Sequence, residues 1–311
     1  MELPSELVAI PDSPKPFRLL HLPSLAYDVI FSQMEMEDVY HLSKCSRRSR
    51  CAVKIFTRRQ EYNFEIFARK SLCSLRILNW LSRKAFCRFL RPMEIRKPLD
   101  DVSYITYSED FWAAMKEEIL YFLDVFTKKV NRLDFYDVTN IRKMTELLEE
   151  KNLLPVDYVW YDVREIDDEM YKYVWRQFRD TKKLTICASP SADFRFDDME
   201  LFTGDDLTIN DADWLTVDNL TRCFTNVEKV HLWAFNSRRY LDVLVFNQFL
   251  NAWRNGLRVG KLNLDCDCAN FDVESIFKNV PKTKVTCVQV GNWKRVFKNG
   301  QCFLIRQEES G

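Results

Sequence analysis

The chain has 311 residues with 46 basic and 46 acidic side chains, so its formal net charge is zero. Hydrophobic residues make up 47% and charged residues 30%, a balance that excludes a disordered chain and predicts one large or two modest folded domains. No apolar run approaches the roughly twenty residues that a membrane helix needs, so no membrane partner is predicted.

Neither the first residues nor the ten cysteines predict secretion. The opening stretch, residues 1–17, lacks a basic segment followed by a long apolar one, so it does not predict a signal peptide. The close pair Cys266 and Cys268 fits one face of a strand better than a zinc site, which needs four ligands. We therefore expect reduced thiols, an intracellular protein of the cytoplasm or nucleus, and a flexible leader at residues 1–16.

Residues 17–57 carry the most informative pattern in the chain. Leu22 and Pro23 precede an apolar stretch, an acidic turn at 35–38 and a basic patch at 47–50. Apolar positions three and four apart share a helix face, so the pattern predicts three short helices with one apolar stripe each. Pro23 suits a helix start, where its missing N–H needs no partner.

This segment resembles an F-box, in which a Leu-Pro start, an apolar first helix and an acidic turn precede a basic third helix. The pattern departs at Ser49, where the family often has an aromatic residue. An F-box docks on a Skp-family adaptor held by a cullin, so the resemblance implies a non-catalytic substrate receptor of a ubiquitin ligase. The positions it implies as adaptor contacts are Leu22, Pro23, Ile30, Phe31, Met34, Val39, Leu42 and Cys45.

Three helices of about ten residues cannot enclose a core of their own. Their apolar faces must pack either on an adaptor or on the body of this chain, as a helical cap. The apolar stripes alone favour packing on the body of the chain. The order of a Leu-Pro start, an acidic turn and a basic patch favours packing on an adaptor. The basic patch at 47–50 would steer the chain toward an acidic adaptor surface and raise the association rate more than the affinity.

Residues 41–97 are strongly basic, with sixteen Lys and Arg against three Asp and Glu. Basic and aromatic residues together would suit a nucleic-acid surface, and equally a basic helix and adjoining strands packed on an acidic body. No recognition module accompanies the charge, so nucleic acid is not favoured as a partner. An RNA- or DNA-binding protein stays open as a rival interpretation.

Residues 58–103 are expected to connect the F-box-like segment to the second half of the chain. Alternation over 62–66 predicts a strand, while 72–81 fits either a second strand or a helix. Ser108 is predicted to cap the helix whose apolar stripe runs over 111–126.

Short strand-like phrases recur over residues 104–295, each around an apolar anchor and most about 25 residues from the next. The anchors are Leu133, Val159, Leu184, Leu207, Val230, Leu262 and Val285. Most gaps hold a helix-like phrase, as at 139–150 and 167–178. This alternation predicts an irregular leucine-rich-repeat-like strand–helix solenoid, although no asparagine or cysteine ladder keeps register. A doubly wound α/β fold is the structural alternative.

The second half also resembles the type 2 F-box-associated domain of nematode F-box proteins. The phrases that carry this resemblance are WLTVDNL at 214–220, HLW at 231–233 and FNQFLNAW at 246–253, with Gly256. The order of an F-box before an associated domain is the family order. The predicted chain is mixed α and β, with its parts at 1–16 (leader), 17–57 (F-box), 58–103 (connection), 104–295 (F-box-associated repeat domain) and 296–311 (tail).

The sequence contains no motif that predicts catalysis. It has no glycine-rich phosphate loop, no His-Glu metal helix and no Gly-x-Ser-x-Gly elbow. Carboxylates cluster at 197–198, 205–206 and 211–213, at loop positions typical of solvated turns. We therefore predict no catalytic residue, no cofactor and no metal.

Aromatic residues on the strand phrases offer the best candidates for binding a target protein. Trp160, Trp233 and Phe235 lie on such phrases, where alternate residues face the same surface of the sheet. Protein interfaces are enriched in Trp. Core packing is the alternative for each of them. The hypothesis is a receptor that holds a target near a ubiquitin-charged enzyme; a binding module with no ligase role is the rival.

Overall fold

The computed structural model describes residues 22–70, 72–79, 84–92, 105–234, 247–248, 251, 261–266 and 303–305. The α-helices in these ranges are α1 (Ser24–Gln33), α2 (Met36–Cys45), α3 (Arg47–Thr57), α4 (Phe111–Val125), α5 (Ile141–Glu150) and α6 (Asp168–Phe178). The first strands are β1 (Asn63–Arg69), β2 (Leu72–Asn79), β3 (Lys84–Pro92), β4 (Ile105–Ser108), β5 (Arg132–Phe135) and β6 (Tyr158–Glu165). The later strands are β7 (Lys183–Ser189), β8 (Asp206–Asn210), β9 (Lys229–Ala234), β10 (Lys261–Cys266) and β11 (Phe303–Ile305).

The described strands form one open mixed sheet in the order β11-β10-β9-β8-β7-β6-β5-β1-β2-β3-β4. Strands β5 to β10 are parallel and follow chain order without a reversal. Strand β1 is parallel to β5, and β1 to β3 form an antiparallel meander. A doubly wound fold reverses its strand order at a switch point, and the described strands β5 to β10 contain no such reversal.

The apolar anchors found in the sequence pair with one another across neighbouring parallel strands. This row contains Leu133, Val159, Leu184, Leu207, Val230 and Leu262. From Leu133 to Val230 the side chains are at most 1% exposed. The strand predictions at these anchors are confirmed, and the anchor at Val285 lies outside the described residues.

Helices α4 to α6 cover the anchor side of the sheet. Phe122 of α4 stacks on Phe64 of β1 with ring centroids 5.4 Å apart, and Phe178 of α6 lies 6.0 Å from Phe135 of β5. Helix α5 adds a buried stripe made of Ile141, Met144, Leu147 and Leu148. Strand side chains alternate between the two faces, so the residues between the anchors point away from these helices.

The structure corrects one local prediction and decides one alternative that the sequence left open. The predicted cap at Ser108 is wrong, because Ser108 ends β4 and the carboxylate of Asp110 accepts the backbone N–H of Ala113 at 2.9 Å. Ser108 instead donates its hydroxyl to the carbonyl of Asp110. Residues 72–79 form a strand rather than a helix, with Leu75 and Ile77 buried.

The N-terminal helices share a core with the body through α4. Tyr40 of α2 stacks on Phe122 at 5.6 Å, and Phe122 also stacks on Phe64 of β1. Tyr40 is 2% exposed, and its hydroxyl donates to the carboxylate of Glu118. A buried hydroxyl without a partner would be costly, so this hydrogen bond lets the ring pack without that penalty.

A polar cluster surrounds the stacked rings, and we refer to it as the α4 clasp. It joins Tyr40, Ser43, Lys44, Arg50 and Lys54 to Glu118, Tyr121 and Asp124 of α4. The hydroxyls of Ser43 and Tyr121 lie 2.5 Å apart, and Lys44 Nζ lies 3.4 Å from the Tyr121 ring centroid. Part of the basic excess of residues 41–97 therefore pairs with acids of the body.

Gly204 occupies a position where a side chain has no room. A Cβ atom there would lie 1.9 Å from the carbonyl oxygen of Thr181 and 2.6 Å from the Phe202 ring. We expect Gly204→Ala to lower the free energy of unfolding by about 1–3 kcal/mol, because the backbone must shift. Urea unfolding would measure this, with Asn226→Ala in an exposed turn as the control; equal losses in both variants would contradict the prediction.

The α4 clasp predicts a pH-dependent contribution from Asp124. The hydrogen bond from Lys54, with the charge of Arg50, holds the pKa of Asp124 below its ordinary value of 3.8. A carboxylate with a lowered folded-state pKa adds stability above its unfolded pKa and loses it as the pH falls through the folded value. Asp124→Asn should therefore be less stable than wild type at pH 7, with the difference shrinking below about pH 4. Thermal unfolding at pH 7, 5 and 3 checks this, and a constant difference would argue against it.

Candidate functional site

The first candidate site is the outer surface of α1 and α3. Leu25 and Val29 lie one turn apart on α1 and are 76% and 64% exposed, while Ile55 on α3 is 55% exposed. Arg59 forms an ion pair with Asp28 of α1, and Ile55 lies one turn before Arg59. Leu25 and Val29 therefore share one exposed apolar face of α1, and adjoining exposed apolar side chains are typical of interaction sites.

The predicted adaptor contacts divide into surface and core positions. Pro23 and Cys45 are exposed, and the half-buried members are Leu22, Ile30, Met34 and Leu42. Phe31 and Val39 are each 1% exposed, and Phe31 packs edge-to-face against Phe56 at 5.3 Å. In this conformation Phe31 and Val39 hold the helices together and present no surface.

Ile55 is a surface residue that the sequence pattern did not single out. It lies in the basic third helix, where charge dominates the pattern. Leu25 and Val29 were visible as part of an apolar stretch, but their exposure was not. The sequence indicates this exposure only through the composition of α1, which carries more apolar residues than one buried stripe requires.

Local capping explains how α3 begins and why Ser49 departs from the F-box pattern. Ser46 Oγ accepts the backbone N–H of Ser49 at 3.0 Å, and Ser49 Oγ accepts the backbone N–H of Ser46 at 2.9 Å. Ser49 is 1% exposed. This reciprocal pair satisfies two N–H groups at the helix start, a role that an aromatic side chain could not take.

The second candidate site is the side of the sheet that points away from α4 to α6, which we call the polar face. On β1 to β5 it contains Glu65, Phe67, Arg76, Arg132 and Asp134. On β6 to β9 it contains Tyr158, Trp160, Lys183, Thr185, Asp206, Thr208, Lys229, His231 and Trp233. Trp160 and Trp233 are half-buried on this face, three strands apart, which corresponds to about 14 Å. The third candidate, Phe235, lies outside the described residues.

Arg132 is at the centre of the polar face. Its Nε and Nη2 donate to the two carboxylate oxygens of Asp134 at 2.8 and 2.9 Å. The guanidinium also lies 4.7 Å from the Tyr158 ring and 5.9 Å from the Trp160 ring. Asp134 is fully buried, and this burial raises its pKa even though Arg132 opposes the shift. The pair is thus a structural ion pair whose cation also orders the neighbouring aromatic rings.

Charged and aromatic groups alternate around this centre. Arg76 lies 3.5 Å from Glu65 and 5.0 Å from the Phe67 ring, and Lys183 lies 3.4 Å from Asp206. Burial raises the pKa of Glu65 despite its pairing with Arg76. Partly exposed Trp, Tyr and Arg are the residue types that protein interfaces favour. The face has the chemistry of a protein-binding surface.

The tryptophan on β6 retains an unused donor. The Nε1 atom of Trp160 is buried and has no hydrogen-bond partner. Buried polar groups in folded proteins are nearly always paired, so an acceptor on a bound partner would complete this one. Trp160 therefore combines apolar area with one directional hydrogen bond.

Two of the described thiols are unsuited to nucleophilic chemistry, while Cys45 and Cys51 are free and exposed. Burial raises the pKa of Cys187 to about 12 and that of Cys223 to about 11, so both thiols stay protonated at neutral pH. Over the described ranges, no group of three or more His, Cys, Asp or Glu side chains is placed to hold a metal ion. None of the helices described combines the length and the hydropathy that a bilayer span requires.

Comparison with known proteins identifies the N-terminal helices. Residues 19–60 match the family described as the F-box domain, and this range spans α1 to α3. No curated protein and no solved structure gives a significant match to the chain. F-box domains in general dock on the adaptor of a Skp–cullin–F-box ubiquitin ligase, and proteins that carry them are in general non-catalytic. Residues 19–60 are an F-box domain, and α1 to α3 are its helices.

Proposed function

We propose that this chain is the substrate-recognition subunit of a Skp–cullin–F-box ubiquitin ligase. The observation that carries the proposal is the exposed apolar surface of the F-box domain, with Leu25 at 76% and Val29 at 64% exposure. The body of the chain buries α2 and α3 through α4 and leaves this part of α1 uncovered. An adaptor of the Skp family would cover it and link the chain to a cullin.

The proposed adaptor surface combines the predicted positions that are accessible with the exposed residues of α1 and α3. Its members are Leu22, Pro23, Leu25, Val29, Ile30, Met34, Leu42, Cys45 and Ile55. Phe31 and Val39 support this surface from inside the helices. Because apolar area removed from water stabilises association, the most exposed members should contribute most to affinity.

For the body we propose an F-box-associated domain of the nematode type over residues 104–295, built as an irregular strand–helix solenoid. The parallel strands β5 to β10, in chain order and at nearly regular steps, support this proposal. The remaining proposed parts are a leader at 1–16, a connection at 58–103 and a tail at 296–311. We place the protein inside the cell, where the ligase acts, and assign it no cofactor or catalytic residue.

The proposed target-binding surface is the polar face, with Trp160, Trp233 and Phe235 as aromatic contacts. The clustering of rings around Arg132 and the unused donor of Trp160 support this assignment. The face points away from α4 to α6, so a target can bind there without disturbing the apolar rows. The chain would then supply proximity between target and ubiquitin-charged enzyme rather than chemistry.

A helical cap without a ligase role is the alternative, and one observation favours it. Helices α2 and α3 are packed on α4 through Tyr40 and the α4 clasp, so a large part of their apolar surface is already buried. The cap alternative leaves the exposed surface of α1 without an explanation. Adaptor binding separates the two.

We expect the double change Leu25→Asp, Val29→Asp to weaken adaptor binding about a hundred-fold or more, because two exposed apolar contacts become charged. The measurement is co-purification with a Skp-family adaptor and cullin, followed by calorimetric titration of the adaptor. A matched control is Leu201→Asp, Val138→Asp, which makes the same two changes at body positions that are 39% and 40% exposed.

The control pair should bind the adaptor like wild type, and circular dichroism should show both variants folded. If the wild-type chain binds no Skp-family adaptor, the ligase proposal fails and the helical cap remains. Equal loss of binding in both double variants would assign the effect to instability rather than to the α1 surface.

For the polar face, we expect Thr208→Arg to block target binding, because a long charged side chain on β8, between the strands of Trp160 and Trp233, obstructs a flat partner. The matched control is Ala113→Arg, the same gain of charge on the exposed side of α4. Ligases assembled with each variant would be supplied with cell extract, and the ubiquitinated proteins compared by mass spectrometry. Products of the wild-type ligase should disappear with Thr208→Arg and persist with Ala113→Arg. If the products are the same for both variants, the polar face is not the target surface.

A further inference from the structure

An open cavity of about 490 Å³ lies at the carboxyl edge of the parallel strands. Its walls come from residues 166–169 at the start of α6 and from residues 189–191 at the end of β7. Loops held in place by a rigid sheet are where proteins often carry their binding residues. The cavity is therefore in a favourable place for recognition, and none of the contacts proposed above line it.

The segments that leave the carboxyl ends of β5 to β8 are strongly acidic. They hold ten Asp and Glu and one Arg, counted over residues 136–140, 166–169, 190–199 and 211–218. The segments that lead into β5 to β9 are nearly balanced, with five basic and four acidic residues over 126–131, 151–157, 179–182, 203–205 and 225–228. The acidic excess belongs to one edge of the sheet, and such a field attracts a positively charged partner.

Tyr161, on β6 at this edge, has a buried hydroxyl without a hydrogen-bond partner. The side chain is fully buried, and burial together with the charges of Asp167 and Asp137 raises the pKa of the phenol. Asp167 lines the cavity, and Asp137 has a buried carboxylate oxygen, Oδ2, that likewise lacks a partner. An unpaired phenol oxygen and an unpaired carboxylate oxygen thus lie behind the cavity wall, with almost no area accessible to solvent.

Asp211 places a second unused carboxylate oxygen behind the other wall. Ser189, which lines the cavity, donates its hydroxyl to Asp211 Oδ2, while Asp211 Oδ1 is buried without a partner. The backbone of Asp211 is left-handed, with φ of 53°, a conformation that is uncommon outside glycine. The prediction of a solvated turn at 211–213 holds only in part for Asp211, because its side chain is half-buried and its Oδ1 atom is fully buried.

We propose that this carboxyl edge, defined by Asp137, Tyr161, Asp167, Ser189 and Asp211, binds an arginine or lysine side chain of the target protein. A guanidinium carries five N–H donors, an ammonium carries three, and neither has an acceptor, so both complement the unused oxygens. Hydrogen bonds from a charged donor to a carboxylate are also stronger than neutral ones. The inference rests on the proposed function, since it names the chemistry of the target that the receptor selects.

The test uses the full chain bound to its adaptor and two dye-labelled twelve-residue peptides. Both consist of Gly, Ser and Ala, one with a central arginine and the other with citrulline, which has the same shape without the charge. Fluorescence anisotropy, carried to millimolar protein, would be recorded for wild type, for Asp167→Asn with Asp211→Asn, and for Asp180→Asn. Asp180 is an exposed acid that precedes β7, at the opposite end of the strands, so its variant controls for a general change of charge.

We expect the arginine peptide to bind wild type at least ten-fold more tightly than the citrulline peptide. The double variant should abolish this preference, and Asp180→Asn should retain it. Asparagine keeps the cap on α6 and an acceptor for Ser189, so both variants should unfold at temperatures close to wild type. Equal binding of both peptides, or no binding at any concentration, would contradict the proposal. Ordered water would then provide the missing hydrogen bonds to these oxygens. Adaptor titration of the same samples keeps a failure of the ligase proposal distinct from a failure of this one.

Discussion

The ring of Phe122 connects the F-box domain to the sheet, because it stacks on Tyr40 of the F-box domain and on Phe64 of β1. Three short helices cannot bury a core of their own, so the F-box helices depend on α4 for the apolar contacts that stabilise them. The polar groups of the α4 clasp make this burial possible, since the hydroxyls of Tyr40 and Ser43 keep hydrogen-bond partners inside the contact. Loss of this stack would therefore let the F-box helices move relative to the sheet, which carries the proposed target-binding surface.

The two faces of the sheet differ in their chemistry. The apolar row that includes Val159 and Val230, and the row beside it, pack under the helices and contribute most of the buried area. The polar face contributes little apolar burial and instead carries ion pairs and rings centred on Arg132. A third region, the carboxyl edge, collects acidic side chains because the segments leaving β5 to β8 meet there. Each region thus has a chemistry that follows from its position in the strand register.

Patterns with a fixed period were the part of this fold that the sequence could predict. The anchors from Leu133 to Leu262 pair in register because each is the second residue of its strand. The apolar alternation along such strands is a local pattern that the sequence shows. The pairing of Tyr40 with Glu118 could not be predicted, because it joins residues 78 apart in the chain. The exposure of Leu25 could not be predicted either, because it depends on which face of α1 the other helices cover. The cap at Asp110 was missed for a different reason: two neighbouring side chains could cap the helix, and only the end of β4 selects between them. Contacts between residues far apart in the chain decide these features, and local helix or strand propensity does not.

This arrangement limits where the chain can change its partner specificity without losing its fold. A substitution in the apolar rows creates a cavity or a clash and lowers stability directly. On the polar face, Arg132 and Asp134 are similarly constrained, because removing the arginine would leave a buried carboxylate without its cation. Thr208 on the polar face and the exposed acids Glu169 and Asp197 at the carboxyl edge are less constrained, since they face away from the helices or toward solvent. Changes at those positions therefore leave the anchors and the Phe122 stack in place, and with them the packing of the F-box domain against the sheet.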